Sequence, residues 1–351
     1  MDEISKAKLI EQNSWEETVP KDGLIDLFKE NSNPKHYIGI EISGFLHLGS
    51  LLSTGYKIND FVKAGVKCTV FLADWHTFIN DKLGADWETI SKVSKYYEKA
   101  FKEVCPEAEI VLGSKLIEEK KDYWLDFIKF TRHASLKRIQ RTLTIMGRTE
   151  NEEKIDLAKL LYPPMQAIDI HNLDVDITHA GTDQRKIHML VRDIFPKLGW
   201  KVPVSVHHKI LPSLSQARTK SNDEIVNNKP TKMSKSDPNS GIFINDSDEI
   251  ITKKINKSWC EQEKLFDSPL VDIVESIILP KLKEIKIEGQ DENGQYVFNN
   301  FQEFQDGLSK EKIHPADFKT AVANSLIDII SSLREKLKLD VELENLIRRS
   351  V

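Results

Sequence analysis

Two short segments carry residues suited to binding phosphates, and the first is "HLGS" (His47–Ser50). It follows a predicted buried strand and precedes a stretch with helical spacing of apolar residues. Gly44 and Gly49 allow the backbone to come close to a ligand, and a helix N-terminus attracts anions. The imidazole of His47 is placed to donate a hydrogen bond to a phosphate oxygen. Alone, the loop is equally compatible with a core histidine beside a turn glycine.

The second segment is "TKMSKSDPNS", residues 231–240, which sets two lysines among hydroxyl groups. Its last four residues favour turns over helix or strand. Lysine–serine loops are usually solvated connectors, so only a second phosphate-binding feature gives this loop a chemical interpretation.

A third feature is a polar stripe on a predicted helix, formed by Tyr162, Gln166 and Asp169. Spacings of four and three residues place all three on one helix face. The surrounding residues are apolar, and buried polar groups need partners. We therefore interpret the stripe as the wall of a ligand pocket, with a solvent-facing stripe as the alternative.

Alternating strand and helix patterns must position these residues. Buried strands are predicted at "HYIGIEI", "KCTVFLADWH", "EIVLG", "VDITHAG" and "VPVSVHH", with helices between them. This order predicts an α/β fold with a Rossmann-like parallel sheet, followed by a C-terminal α-helical domain. The predicted domains are an N-terminal helical extension (1–35), a catalytic domain (36–246) and a helical domain (247–351). The catalytic domain includes a helical insertion at about 119–172 and the loop 213–240.

Composition restricts the class of protein. The chain has 351 residues, 40% hydrophobic and 30% charged, with a net charge of −5. No apolar run approaches the ~20 residues that span a bilayer, and the N-terminus lacks the apolar stretch of a signal peptide. Three separated cysteines predict a reducing, cytoplasmic location. Local basic clusters such as "SLKRIQRTLTIMGR" could still dock a polyanion.

The paired segments resemble the two signature motifs of class I aminoacyl-tRNA synthetases, HIGH and KMSKS. The second motif is intact, whereas Ser50 replaces the last histidine of the first. Most of the chain resembles tyrosyl-tRNA synthetases of the archaeal and eukaryotic type. The matching stretches are "YIGIEISGFLHLG", "FLADWHTFIN", "LLYPPMQAIDIHNLDVD", "AGTDQRKIHML", "KMSKSDPNSGIFI" and "IHPADFKTAV".

The resemblance implies a set of site residues. Tyr37 and Asp169 would bind the phenolic hydroxyl of tyrosine, and Tyr162, Gln166 and Gln184 its amino group. The whole implied tyrosine site is Tyr37, Gly39, Glu41, Ala73, His76, Tyr162, Gln166, Asp169 and Gln184. The implied ATP site is Gly44, His47, Gly49, Ser50, Lys232, Met233, Ser234, Lys235 and Ser236. Among these, the implied catalytic residues are His47, Gly49, Lys232 and Lys235.

The resemblance also implies partners. Arg141, Arg185 and Lys186 would contact the acceptor stem of tRNA(Tyr), and His314 and Asp317 its anticodon. ATP would enter with Mg²⁺ as a substrate complex, without a protein-bound cofactor. No metal site is predicted, because His179 and His188 near Asp183 match no standard ligand set. A homodimer is expected, with its interface near residues 123–146.

The implied reaction is that of a tyrosine–tRNA ligase. Tyrosine would be activated by ATP to tyrosyl-adenylate and pyrophosphate, and then transferred to the terminal adenosine of tRNA. A tryptophanyl-tRNA synthetase is the main alternative, because it shares both motifs. Another class I nucleotidylyl transferase and a catalytically inactive RNA-binding relative are further alternatives.

Overall fold

The structure is a computed structural model that describes residues 1–147, 155–218, 225–226, 229–230, 232–233, 237–289, 294–310 and 313–349. The chain forms two compact units. The first contains residues 1–44, 57–209 and 341–351, and the second contains residues 45–56 and 210–340. The predicted domain boundaries after residues 35 and 246 remain predictions.

The first unit is built around a sheet with helices between its strands. Its strands are β1 (Trp15–Val19), β2 (Lys35–Ile40), β3 (Lys67–Leu72), β4 (Glu109–Leu112), β5 (Ile177–Gly181) and β6 (Val204–His208). Its helices include α1 (Glu3–Ile10), α2 (Gly23–Glu30), α4 (Asp74–Ile79), α5 (Trp87–Val104), α6 (Gly113–Glu119), α7 (Tyr123–Thr131), α8 (Leu136–Thr142), α9 (Leu157–Asn172), α10 (Arg185–Ile194) and α16 (Val341–Arg349). Helix α3 (Thr54–Lys63) contributes to both units.

The sheet has the strand order β1-β6-β5-β2-β3-β4, and all its pairs are parallel except β1 with β6. The parallel arrangement confirms the predicted fold class. Strand β2 pairs with β3 on one side and with β5 on the other, so the chain changes direction beside β2. In open α/β sheets ligands bind at such a switch point, beyond the carboxyl ends of the strands.

Helix caps fix where the two long helices of this unit begin. The carboxylate of Asp86 accepts a hydrogen bond from the backbone N–H of Thr89 at the start of α5. Asp156 does the same for Lys159 at the start of α9. Both residues satisfy backbone donors that have no partner inside the helix. The cap at Asp156 sets the register of α9 and hence the face on which its polar stripe lies.

The second unit is mainly helical. Its helices are α11 (Asp248–Lys257), α12 (Pro269–Ile273), α13 (Leu279–Leu282), α14 (Phe301–Lys310) and α15 (Pro315–Lys336), with π-helical turns at Leu48–Ser53 and Val274–Ile278. Its strands are β7 (Ile225–Val226), β8 (Lys229–Pro230), β9 (Ile285–Glu288) and β10 (Gln295–Phe298). No helix of the described residues is long and apolar enough to cross a membrane.

Three local features differ from the sequence prediction. The N-terminal extension, predicted as helical, contains the edge strand β1, which pairs antiparallel with β6. The helical C-terminal region contains a hairpin in which β9 pairs with β10. The predicted helix 123–146 is broken into α7, α8 and a 3₁₀ turn. The strands β1, β9 and β10 are short segments, for which tertiary pairing outweighs local propensity.

Candidate active site

The end of β2 carries the first part of the site. Tyr37 is buried, and a Cβ at Gly39 would collide with its hydroxyl. Residues two apart on a strand face the same side. Glycine at position 39 is therefore what leaves room for the Tyr37 hydroxyl at the sheet edge.

Glu41 connects β2 to two other elements. Its Oε1 accepts a hydrogen bond from Asn80 Nδ2 at 2.7 Å and lies 3.4 Å from the Tyr162 hydroxyl. Asn80 Nδ2 also lies 3.3 Å from the carbonyl of Met146. These contacts place a carboxylate beside the polar stripe of α9, where it can attract a substrate ammonium group.

The stripe on α9 faces inward as predicted, because Tyr162, Gln166 and Asp169 are all buried. Gln166 Nε2 lies 3.4 Å from Gln184 Oε1, and Gln184 Nε2 donates to the carbonyl of Ile145 at 2.9 Å. The structure therefore brings together the two amides that, by the family resemblance, would bind the amino group of a ligand.

Asp169 carries the carboxylate of the stripe and is its most deeply buried residue, with 1% of its surface exposed. Its Oδ1 accepts a hydrogen bond from the Tyr123 hydroxyl at 2.7 Å. Its Oδ2 lies 3.5 Å from His76 Nε2 and has no hydrogen-bond partner among the described residues. Burial raises the pKa of Asp169 well above its usual range, and the hydrogen bond from Tyr123 opposes that rise.

His76 is held between the stripe and β3. It lies on α4, a helix that begins directly after Ala73. The Ala73 N–H donates to the carbonyl of Ile40 at the end of β2. Its ring meets Tyr162 edge-on, with 4.5 Å between the ring centroids. Burial lowers the pKa of His76 to about 4, so the ring is neutral at pH 7. A neutral ring can accept or donate one hydrogen bond beside Asp169.

Gly44 closes the turn after β2. Its φ is +114°, a conformation that favours glycine, and its carbonyl accepts a hydrogen bond from the Tyr97 hydroxyl at 2.9 Å. This residue belongs to the first unit, whereas the rest of the predicted ATP site belongs to the second.

In the second unit, the histidine of the HLGS segment caps the helical turn that follows it. His47 Nδ1 accepts hydrogen bonds from the backbone N–H groups of Gly49 and Ser50, at 3.2 and 3.4 Å. An accepting Nδ1 carries no proton, so the proton of the neutral ring is on Nε2. That tautomer presents an N–H donor, as a phosphate contact requires.

Gly49 and Ser50 shape the same turn. A Cβ at Gly49 would lie only 3.2 Å from His47 Cε1, so glycine lets the imidazole lie over the backbone. The Ser50 hydroxyl accepts a hydrogen bond from the His47 N–H at 3.0 Å and donates to the His47 carbonyl at 3.2 Å. Serine in place of the second motif histidine therefore closes the loop on itself.

The two motif segments are connected by backbone hydrogen bonds within this unit. Leu48 N–H donates to the carbonyl of Ile242, and Ile244 N–H donates to the carbonyl of Leu46. Residues 242–244 follow the lysine loop directly in the sequence. Consequently, the segment that ends the lysine loop also holds the HLGS turn.

The lysine loop is only partly described. Lys232 forms a β-bridge with Pro212, and Met233 N–H donates to the carbonyl of Leu211. The Met233 side chain is buried against Gly241, where a Cβ would approach its sulfur within 2.9 Å. Met233 thus anchors the loop. The predicted ATP-site residues Ser234, Lys235 and Ser236 lie outside the described residues.

Of the three predicted acceptor-stem residues, two lie together. Lys186 Nζ lies 3.3 Å from the carbonyl of Arg141, and both side chains are exposed. Arg185 is also exposed, but its Nε pairs with Glu17 Oε1 at 2.6 Å. A polyanion that binds Arg185 therefore competes with Glu17, but a surface ion pair contributes little free energy.

The predicted anticodon residues lie at the start of α15. His314 is exposed and caps this helix, because its Nδ1 accepts from the Ala316 N–H at 3.2 Å. Asp317 lies in the first helical turn, where the helix dipole favours an acidic side chain. The cap fixes the position of Asp317 relative to the loop before it.

The sequence analysis missed two residues that organise the site, Tyr123 and Asn80. Tyr123 lies on the buried face of α7, where a tyrosine is usually interpreted as core. Asn80 lies at the end of α4, where an asparagine is usually interpreted as a cap. In the described part of the chain, no group of three or more His, Cys, Asp or Glu side chains is arranged so that it could hold a metal ion.

Comparison with known proteins gives a consistent set of similarities. A family model described as "tRNA synthetases class I (W and Y)" matches residues 29–331. A tyrosine–tRNA ligase of Picrophilus torridus is 42% identical over 333 residues, covering 94% of this chain and 98% of the relative. One of Thermococcus sibiricus is 40% identical over 358 residues, covering 95% of each chain.

Among solved structures, this chain is similar to the tyrosyl-tRNA synthetase of Pyrococcus horikoshii, which was crystallised with L-tyrosine. The two are 38% identical with a TM-score of 0.87, covering 99% of this chain and all of the other. The similarity therefore extends over both units and is not restricted to the signature motifs.

Proposed function

The chain belongs to the class I tRNA synthetases for tryptophan and tyrosine, and we propose that it is a tyrosine–tRNA ligase. It activates tyrosine with ATP to tyrosyl-adenylate and pyrophosphate, and then transfers tyrosine to the 3′-terminal adenosine of tRNA(Tyr). Tyrosine–tRNA ligases at about 40% identity over 95% of the chain favour this activity over the tryptophanyl alternative.

The buried pair of Tyr37 and Asp169 carries the choice of amino acid. A phenol hydroxyl both donates and accepts, so it can donate to Asp169 Oδ2 and accept from the Tyr37 hydroxyl. An indole N–H donates only, and phenylalanine offers neither group. An unpaired carboxylate in this buried wall penalises phenylalanine, so selection against it needs no editing step.

We assign the amino group of tyrosine to the other end of this wall. Tyr162, Gln166 and Gln184 bind it, with Glu41 supplying negative charge nearby. The pocket thus fixes both ends of the amino acid and presents its carboxylate for attack on the α-phosphate of ATP. Gly39, Ala73 and His76 complete the lining.

For ATP, we assign the phosphates to the HLGS turn and the lysine loop. His47 donates from Nε2 to a phosphate oxygen, while Gly44, Gly49 and Ser50 let the nucleotide approach the backbone. Lys232 and Lys235, with Met233, Ser234 and Ser236 in the same loop, hold the pyrophosphate as its negative charge develops. ATP enters as its magnesium complex, with the ion bound as part of the substrate.

The second step brings the acceptor end of tRNA(Tyr) to the adenylate. We assign the first base pair of the acceptor stem to Arg141, Arg185 and Lys186. His314 and Asp317 contact the anticodon, where an acidic side chain suits the donor groups of guanine. The exposed position of the three basic residues on the first unit supports the first assignment.

We further propose a cytoplasmic homodimer. On helix α7 the apolar residues Trp124, Leu125 and Ile128 are 51, 51 and 57% exposed. Neighbouring exposed apolar side chains commonly mark a surface that a partner protein covers. These residues lie in the segment 123–146 that the sequence assigns to the interface. All three cysteines are free thiols, as a reducing compartment requires.

Amino-acid-dependent exchange of pyrophosphate into ATP tests the activation step. Tyrosine should support exchange, whereas tryptophan and phenylalanine should not. Charging of a tRNA(Tyr) transcript then tests the transfer step. Exchange with tryptophan and none with tyrosine would show that the chain is a tryptophanyl-tRNA synthetase instead.

A further inference from the structure

Tyr123 is linked to Asp169 by a short buried hydrogen bond, although Tyr123 is not among the residues expected to touch a substrate. Its hydroxyl donates to Oδ1 at 2.7 Å, and the whole side chain is buried. The Met165 carbonyl lies 3.5 Å from the same hydroxyl. Tyr123 comes from α7 and Asp169 from α9, so the bond connects two separate helices.

Because of this bond, the two carboxylate oxygens of Asp169 differ in their hydrogen-bond partners. Oδ1 has a strong donor, whereas Oδ2 has no hydrogen-bond partner among the described residues and lies 3.5 Å from His76 Nε2. A carboxylate has two acceptor oxygens, and one filled by the protein leaves the other for a ligand. The carboxyl group is therefore oriented before any ligand arrives.

The surroundings of Asp169 work against its charge. Burial raises its pKa, and the Asp74 carboxylate adds to the rise. His76 contributes no positive charge at pH 7, since burial lowers its pKa to about 4. Tyr37 faces the same group from β2, and burial, followed by the charge of Asp169, raises the pKa of its hydroxyl.

Tyr162 faces Asp169 from the same helix and has its pKa raised, first by burial and also by Glu41. Asp74 is itself held by Ser114, which donates its hydroxyl to one carboxylate oxygen and its N–H to the other. Among the described residues, the groups that shift the pKa of Asp169 include no cation. The Tyr123 hydroxyl is the contact that favours the ionised carboxylate.

We propose that Tyr123 is a positioning and specificity residue for tyrosine selection, which holds Asp169 through Oδ1 and thereby leaves Oδ2 for the substrate phenol. This inference rests on the proposed function. A carboxylate oxygen held in this position accepts a hydrogen bond from the substrate phenol, and the buried oxygen is costly to leave unpaired when phenylalanine enters. A protonated Asp169 would lose both properties, because a neutral acid accepts weakly and is cheaper to bury.

The test is Tyr123→Phe, which removes one oxygen atom and keeps the ring. Loss of a hydrogen bond to a charged group should lower kcat/KM for tyrosine by about 10- to 100-fold in pyrophosphate exchange, mainly through KM. The acid limb of the kcat/KM profile should move to higher pH, and discrimination against phenylalanine should fall. The KM for ATP should stay unchanged.

Tyr96→Phe is the matched control, because Tyr96 is a buried tyrosine on α5. It should leave the tyrosine KM, the pH profile and discrimination unchanged. A double-mutant cycle with Asp169→Asn separates positioning from packing. If Tyr123 acts through Asp169, Tyr123→Phe should have little further effect on the tyrosine KM in the Asp169→Asn background.

Two results would overturn the inference while leaving the function intact. One is a Tyr123→Phe enzyme with the wild-type tyrosine KM and acid limb. The other is a cycle in which the two substitutions add fully. If the wild-type protein fails to exchange pyrophosphate with tyrosine, the proposed function fails instead, and this result is read before any variant is compared.

Discussion

The hydroxyl of Ser50 both accepts from the backbone N–H of His47 and donates to its carbonyl, closing the HLGS turn. Ser50→Ala should therefore loosen the His47 imidazole and slow adenylate formation. Loss of a helix-capping hydrogen bond typically costs ~0.5–2 kcal/mol, so the rate of adenylate formation should fall by about 2- to 30-fold.

The matched control for Ser50→Ala is Ser53→Ala in the same turn. The Ser53 hydroxyl is buried and has no hydrogen-bond partner among the described residues. Its removal should leave single-turnover adenylate formation and the KM for ATP unchanged. Equal rates for wild type and Ser50→Ala would mean that the serine closure does not position His47.

Removing a lysine from the loop should separate chemistry from amino-acid binding. Lys235→Ala should slow adenylate formation by about 100-fold or more, because the proposed contact of this lysine with the leaving pyrophosphate would act in the transition state. Tyrosine binding, measured at equilibrium without ATP, should be nearly unchanged. Lys253→Ala removes an exposed lysine from α11 and should alter neither quantity. Parallel losses of binding and rate in Lys235→Ala would make the loop structural.

Gly39→Ala should displace the Tyr37 hydroxyl, since the added Cβ would collide with it. Overpacking typically costs ~1–3 kcal/mol, so urea unfolding should move to lower denaturant and the tyrosine KM should rise. Adding Tyr37→Phe removes the oxygen that collides and should restore much of the stability, but not tyrosine recognition. A double variant no more stable than Gly39→Ala would place the strain elsewhere.

Buried histidines should make the fold sensitive to acid. His36, His179 and His208 form a hydrogen-bonded row, with nitrogen–nitrogen distances of 3.0 and 2.8 Å. Burial lowers the pKa of His36 to about 3, that of His208 to about 4, and that of His179 well below its usual value. The unfolded chain protonates these groups near pH 6.5, whereas the folded chain does not.

Their stabilising contribution is therefore complete above about pH 6.5 and is lost as the pH falls below it. Each such histidine contributes a slope of up to ~1.4 kcal/mol per pH unit to the unfolding free energy. Burial also raises the pKa of Asp60, Asp74 and Asp169, which acts in the opposite sense. The lowered pKa of His76, His188 and His207 acts in the same sense as the row. Urea unfolding at pH 7.5, 6.5 and 5.5 measures the slope, and exposed His133→Gln should not change it. Constant stability across this range would contradict the prediction.

We expect the exposed face of α7 to form the interface of the proposed dimer. Ile128→Glu places a charge in the centre of this face and should convert the protein to monomer in sedimentation velocity experiments. Ile4→Glu makes the same change at an exposed position of α1, and it should leave the sedimentation coefficient unchanged. A dimer that survives Ile128→Glu would require another interface.

Local sequence patterns predicted much of the site in advance. The spacing of Tyr162, Gln166 and Asp169 alone places them on one helix face, and the structure buries that face. The order of strands and helices predicts the parallel sheet, because adjacent parallel strands require crossover connections. These features depend on periodicity within one segment, which a sequence displays directly.

Other features depend on partners distant in the sequence. Strand β1 is ordered by pairing with β6, almost 190 residues later, and its own residues carry only a weak pattern. Tyr123 acquires its role from Asp169, which lies 46 residues away. The residue type of Ser50 does not indicate its role. Only the geometry of the turn shows that its hydroxyl closes the loop.

The sequence by itself predicted the fold class and displayed the two signature segments, because these depend on residue type and local spacing. Its resemblance to tyrosyl-tRNA synthetases implied which residues would bind a phenol and a phosphate. The tertiary structure decided which oxygen of Asp169 is left for a ligand, which nitrogen of His47 carries the proton and why residue 39 is glycine. Such details depend on atoms brought within hydrogen-bonding or contact distance by folding, and no local pattern specifies those distances.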